Sequence, residues 1–406
     1  MRTGLYVNPF PALKLTVDDK EKLYRTTQEL VRNACAMYED FLFSQGGELS
    51  TAKWTKVKQR ENVAVYRDRR PGAGTDNKDM QLMLTIGNVL GTLDDALYGV
   101  WNPTVEDMRI KTAYVGDSLV DAAVLETIID PTPDDPYHAV SLRWFVQSIS
   151  RPAGLFSKFR SALYVEAMGK ITLPNDDVVG YRLMHSVSFP NAPPLPQYKR
   201  SNLSICMLLR QSDADHVQTF VTSYLEVRES VLTTMVIRSV ADSLLSPWKY
   251  IQVAQLKKLA WMLKHKQLFQ NNRDHIDLLE DGCCICGSHI RSARPPKKSS
   301  CAVCSNIICG NCQIKRKILM FAPDGSLVPH STRFCLRCVT VAKNLDAATI
   351  ASEEANRKGE GIESQCLQLR PTSVDPAVKN YALGHDSVIG PEGRDTSVSS
   401  ITNEAY

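Results

Sequence analysis

Four CxxC pairs crowd into 56 residues: Cys283/Cys286, Cys301/Cys304, Cys309/Cys312 and Cys335/Cys338, separated by gaps of 14, 4 and 22 residues. Zn²⁺ prefers four soft donors in a tetrahedron, and one CxxC turn aims two thiolates at the same ion. Four such turns make two complete four-cysteine sites, so two structural Zn²⁺ ions are the expected cofactors. Cys35, Cys206, Cys284 and Cys366 stand outside the array. The opening MRTGLYVNPFPALKL has no sustained apolar region of the secretory kind. Metal thiolates rather than disulfides are then expected, in a cytoplasmic protein.

Spacing also suggests how the pairs combine. The second and third are only 4 residues apart, too close to share one ion comfortably. A cross-brace resolves this: Cys283, Cys286, Cys309 and Cys312 hold one ion, and Cys301, Cys304, Cys335 and Cys338 the other. So short a segment buries little core, and the metals supply its folding energy. With eight cysteines in place, His289 and His330 are not needed as ligands.

Charge is uneven. Residues 283–338 carry nine Lys/Arg against one acid, Asp324, within a chain of net charge +4. Eight thiolates and two Zn²⁺ reduce that excess without cancelling it. A basic module on an otherwise acidic chain points to an anionic partner. Its only aromatics are Phe321 and Phe334, too few for the stacking platform that single-stranded nucleic acid needs. No nucleic-acid partner is expected. GxSxG, P-loop, HExxH and GxGxxG signatures are absent, so no catalytic residue is nominated and a non-enzymatic role is expected.

The elements around this segment are legible in outline. Thr16, Asp18 and Asp19 open a helix, and Leu23, Thr27, Leu30, Ala34, Tyr38 and Phe41 recur at helical spacing over 17–43. That face is expected to pack on the next domain. A strand is expected near Val63–Tyr66 and a short helix over 92–100. RSALYVEAMGKI, VGYRLMHSVSF, SNLSICMLLR and HVQTFVTSYLEV form an antiparallel meander broken by Pro and Asp clusters. Two helices follow, divided at Ser246-Pro247, with Pro247 suited to the first turn of the second. Val253, Leu256, Ala260 and Leu263 line one face of that helix, and Lys257, Lys258 and Lys264 lie elsewhere on it. Met168, Met184 and Met207 fall in successive strands and suit either an apolar cavity or a packed core. Residues 344–406, with ten acids against five bases, read as a disordered acidic tail.

A tryptophan-led first strand (Trp54), an early helix, a meander and the final Pro247–Lys266 helix together resemble the START-type lipid-binding fold over about 50–268. The resemblance implies an α+β helix-grip architecture, in which an antiparallel sheet wraps a long C-terminal helix and leaves room for a hydrophobic lipid ligand.

The cysteine segment resembles the FYVE zinc finger, which reads phosphatidylinositol 3-phosphate on endosomes. SNIICGNC matches that family's third pair, Arg333-Phe334-Cys335 fits its Arg-Val-Cys motif, and Asp277 takes the place of the aspartate in Trp-x-x-Asp. Asp274 stands where the tryptophan would be. Lys297-Lys298-Ser299-Ser300-Cys301-Ala302 keeps two bases and lacks the family's two histidines and its arginine. Lys297, Lys298 and Arg333, with Arg291 and Arg294 beside them, are therefore the expected anion-binding residues. The histidine geometry that selects the 3-phosphate and favours acidic pH is missing. The expected membrane attraction is weak and non-selective, about 1 kcal/mol per base near an anionic surface. The loop Gly287–Pro296 offers only Ile290 and Ala293 for insertion.

The expected organisation is an N-terminal helix and linker (1–49), a START-like domain (50–270), a FYVE-like two-zinc cross-brace (271–343) and the tail (344–406). Chelation is then expected to unfold 283–338 and spare 50–268. The function implied is that of a lipid-binding membrane adaptor, peripheral on endosomal membranes, with a protein partner as another use of the basic face. The alternatives are a protein-binding zinc scaffold and a RING-type ubiquitin ligase. The latter also uses a cross-brace, but with a histidine in its middle and closer second and third pairs.

Overall fold

The computed structural model describes residues 8–11, 13–70, 72, 79–149, 158–226, 233–270, 282–289 and 299–357. Helix α1 (Val17–Glu39) opens on a capping box: the Asp19 amide donates to Thr16 Oγ1 at 3.1 Å, and the Thr16 amide donates to Asp19 Oδ2 at 3.0 Å. Its last turn loosens into a π-turn over Asp40–Ser44.

The strands are β1 (Trp54–Arg60), β2 (Val63–Asp68), β3 (Met80–Leu90), β4 (Leu119–Ile129), β5 (Ala139–Ile149), β6 (Lys158–Thr172), β7 (Val178–Ser186), β8 (Lys199–Arg200), β9 (Leu203–Gln211) and β10 (His216–Glu226). They form one sheet in the order β1-β2-β3-β10-β9-β7-β6-β5-β4, with the short β8 alongside β6. Every neighbour pair on that path is antiparallel. The β3–β10 pairing joins the early hairpin to the meander.

Helices α2 (Leu93–Val100), α3 (Val105–Val115), α4 (Thr233–Leu244), α5 (Tyr250–Lys264) and the short α6 (Lys266–Gln270) complete the body. Pro247 opens a 3₁₀ turn, Ser246–Lys249, that leads into α5. The α-helix therefore starts slightly later than the proline alone suggests.

Both faces of the sheet are covered, which explains strands such as SICMLLR that show little polar alternation. Leu82, Leu84, Cys206, Leu208 and Phe220 pack under α1, as its apolar stripe anticipates. The intervening Met83, Met207, Leu209, Val217 and Val221 face α2, α4 and α5. Gly99 lets α2 and α5 cross closely, since a Cβ there would stand 2.0 Å from the Tyr250 carbonyl oxygen. Among the described residues no helix is long and apolar enough to cross a membrane.

The cysteine segment is welded to this body. Its hairpin, β11 (Gln313–Phe321) and β12 (Leu327–Cys335), and helix α7 (Leu336–Asn344) lie against the outer side of α5. Val303, Ile308, Ile318, Phe334 and Ala342 share one continuous core with Leu259, Trp261 and Met262. The two segments expected as separate units are thus packed against each other.

The stretch expected to begin the disordered tail is also structured in part. Residues 347–357 form helix α8 (Ala347–Arg357), which packs on α2 and α5 through Ala347, Ile350 and Ala351. Asp346 caps it, accepting from the amides of Ala348 and Thr349 at 3.2 and 3.1 Å. An apolar residue at every third or fourth position was hidden by the segment's polar composition. The rest of the expected tail, 358–406, lies outside the described residues.

Candidate metal centres and a buried polar interior

The structure gathers the eight array cysteines into two groups, Cys283/Cys286/Cys309/Cys312 and Cys301/Cys304/Cys335/Cys338, each with its sulfurs within 4.8 Å of one another. The first two CxxC turns are shaped locally. Gly287 and Ser305, directly after the second cysteine of their pairs, take left-handed φ angles of 67° and 61°. Their amides close back on the Cys283 and Cys301 carbonyls at 2.9 Å.

The donor set fits zinc. A tetrahedron with Zn–S bonds of about 2.3 Å has sulfur–sulfur edges of about 3.8 Å. Cys286 and Cys309 lie 3.8 Å apart and Cys304 and Cys335 3.9 Å. All these cysteines are free thiols, so no disulfide competes for them. His289 and His330 are exposed and belong to neither group. Cys284 stands beside a ligand position and is half-buried.

The two centres differ in access. In the first, Cys286 is exposed and Cys309 and Cys312 are half-buried. In the second, Cys301, Cys335 and Cys338 are buried and Cys304 half-buried. Metal release to an excess of chelator is expected in two phases of equal amplitude, the first centre emptying first. A metallochromic indicator reads this, and one uniform phase would contradict the difference in access.

The second centre sits where module and body meet, and buried charges hold the joint. Lys258, 1% exposed, is paired with Asp95 of α2 and donates to the Leu345 carbonyl at 2.6 Å. Lys257 donates to the Tyr98 and Trp101 carbonyls at 2.9 and 3.0 Å, its ammonium 3.9 Å from the Tyr98 ring centroid. The Tyr98 hydroxyl donates to Glu354 of α8 at 3.1 Å. Burial pushes the Glu354 carboxyl above its ordinary value. Arg109 of α3 donates to the Gly325 carbonyl at 2.9 Å, and Tyr114 accepts from the Leu319 amide at 2.9 Å.

Of the expected anion-binding residues, Arg333 is exposed on β12 opposite Lys315. Lys297, Lys298, Arg291 and Arg294 lie outside the described residues, as do Asp274 and Asp277.

A second polar assembly lies inside the body, and sequence reading missed it. Glu166 of β6, 3% exposed, sits between two guanidiniums. Arg143 Nη1 lies 3.0 Å from Glu166 Oε2, and Arg182 Nε donates to Oε1 at 2.6 Å. Arg143 also donates to Ser141 Oγ and to the Asn102 carbonyl at 2.7 and 2.9 Å. Burial opposes ionisation of Glu166, but the two guanidiniums prevail and hold it below its ordinary 4.5.

Strand register puts Arg182 opposite Met168 and Met207, on the face turned toward α5. On the same face the hydroxyls of Thr85, Thr219 and Ser223 are buried and have no hydrogen-bond partner among the described residues. Met168 and Met207 are packed in the core, and Met184 is half-buried opposite Glu166. The charged strand positions were the available signal: a Glu and two Arg inside otherwise apolar runs. A pocket of about 610 Å³ opens on the other face of the sheet, between Phe41, Trp54 and Tyr66.

No protein-family model matches the chain, and no curated protein matches it. Solved structures similar to it include human STARD10, at 15% identity and a TM-score of 0.37, covering 57% of this chain and 84% of that one. Human StAR-related lipid transfer protein 5 aligns at 15% identity and a TM-score of 0.39, over 55% of this chain and 97% of its own. The lipid transfer and protein localization domain of human StarD13 (DLC2) aligns at 12% identity and a TM-score of 0.36, over 60% and 98%. Likeness at this level fixes no residue of a site.

Proposed function

We propose that this chain is a non-enzymatic lipid-binding membrane adaptor. The helix-grip body holds an amphiphile between its sheet and α5. The FYVE-like cysteine module holds two Zn²⁺ and docks on an anionic membrane, with Arg333, Lys297, Lys298, Arg291 and Arg294 as its anion-binding residues.

The observation that supports lipid binding is the polar set on the inner face. Burying a hydroxyl without a partner costs about 1–3 kcal/mol, and Thr85, Thr219 and Ser223 each do so. The triad Arg143–Glu166–Arg182 adds two positive charges against one negative. An amphiphile whose head accepts hydrogen bonds would pair with these groups while its apolar part met Met168 and Met207. A buried carboxylate between two guanidiniums is poorly matched to a purely hydrocarbon ligand.

The test incubates zinc-loaded full-length protein with mixed vesicles, re-isolates it and identifies extracted lipid by mass spectrometry. Stoichiometric amphiphile is expected, at least fivefold depleted in T219V/S223A. Protein recovered without lipid would overturn the lipid-binding reading.

A further inference from the structure

Resting on the membrane-docking reading above, we propose that the contact is made by the solvent-facing side of the β11–β12 hairpin, on a bilayer rich in anionic phospholipid. The loop over 287–296 is then not the inserting element.

Strand alternation sorts the hairpin into two sides. Ile314, Ile318 and Phe334 lie on one; Ile318 and Phe334 are fully buried against the body. Register puts Lys315 opposite Arg333, Lys317 opposite Ser331, Leu319 opposite Pro329 and Phe321 opposite Leu327 on the other. That second side is basic at one end and apolar at the other. Lys315, Lys317 and Arg333 are exposed, and none is in a salt bridge with a described residue. These neighbouring bases repel one another, and no described carboxylate forms an ion pair with any of them.

The distal half carries no charged side chain in either strand. Phe321 is 39% exposed there, across from Leu327; Met320 and Val328, also exposed, belong to the opposite side of the hairpin. The Arg109 guanidinium stands 5.0 Å from the Phe321 ring centroid, adding a cation at the apolar end. Asp324, the acid of the hairpin itself, lies in the connecting turn, where its carboxylate accepts from the Ser326 amide at 2.9 Å.

From Lys315 to Phe321 the strand runs about 20 Å. Laid flat, this side would put three bases at phosphate level and a phenylalanine among the upper acyl chains. Its charge complements an anionic lipid surface, and its apolar half separates that surface from a nucleic acid or an acidic peptide.

The test is cosedimentation of zinc-loaded full-length protein with phosphatidylcholine vesicles, with and without phosphatidylserine. The variants are K315Q/K317Q, F321A and K297Q/K298Q, each checked for an unchanged melting temperature. Wild type is expected to bind only the anionic vesicles. K315Q/K317Q should weaken that binding by about thirtyfold, at about fivefold per base, and F321A by about fivefold. Wild-type protein that ignores anionic vesicles would sink the membrane reading as a whole. Wild-type binding that survives both hairpin variants, whether or not K297Q/K298Q abolishes it, would overturn the hairpin proposal alone. A folded variant with a shifted melting temperature is replaced by K315S/K317S, judged by the same two outcomes.

Discussion

Cys338→Ser is expected to lower the melting temperature of the whole chain by at least about 10 °C, not of residues 283–338 alone. Structural zinc sites carry on the order of 10 kcal/mol of apparent binding energy. In a unit of this size each kcal/mol moves the midpoint by about 2–4 °C. Cys338 belongs to the second centre, and it shares a core with Phe334, Trp261 and Met262. Losing that ion loosens the surface that holds Lys258 at the Leu345 carbonyl. Cys286→Ser, at the exposed first centre, should cost less than half as much. Calorimetry reads both variants. A separate early transition for the module, with the main transition unmoved, would show that body and module unfold independently.

Glu166→Gln is the second large effect, and the reason is electrostatic. The substitution leaves the Arg143 and Arg182 guanidiniums buried beside each other without a counter-charge. Breaking a buried ion pair in this way costs about 3–5 kcal/mol. Replacing all three residues together, in R143M/E166L/R182M, should recover most of that loss, because no buried charge is then left unpaired. The pH dependence has a definite sign. Glu166 is held below its ordinary 4.5 in the folded chain. Its contribution is therefore complete above that value and disappears as pH falls through the lower folded-state value. Urea unfolding from neutral to acid pH should show wild type losing stability across that window, with E166Q flatter. Equal slopes for the two proteins would mean that Glu166 is not what the acid titrates.

What could be read from the sequence tracks how local the cause is. The CxxC turns are fixed by neighbouring residues, and the 4-residue gap between pairs two and three pointed to the same two groups that the structure gathers. Helix α1 was legible because Thr16 and Asp19 cap it and one face repeats. Strands β3, β4 and β5 were not resolved individually, being covered on both faces or bulged and so lacking a clean alternation. The union of body and module was invisible for a different reason. Lys257 and Lys258 lie off the apolar face read from the sequence, yet Lys258 is 1% exposed beneath the module. Nothing in the helix itself announces a second partner on its polar side. The Arg143–Glu166–Arg182 triad unites residues from three strands, and only the register reveals that they meet.

Native mass spectrometry of the intact, gently purified chain tests the lipid-adaptor reading most directly. The expected spectrum shows one chain with two Zn²⁺ and one bound amphiphile, the amphiphile leaving on collisional activation while both metals remain. A chain that carries two Zn²⁺ and no adduct, even after equilibration with mixed vesicles, would contradict a lipid-holding body.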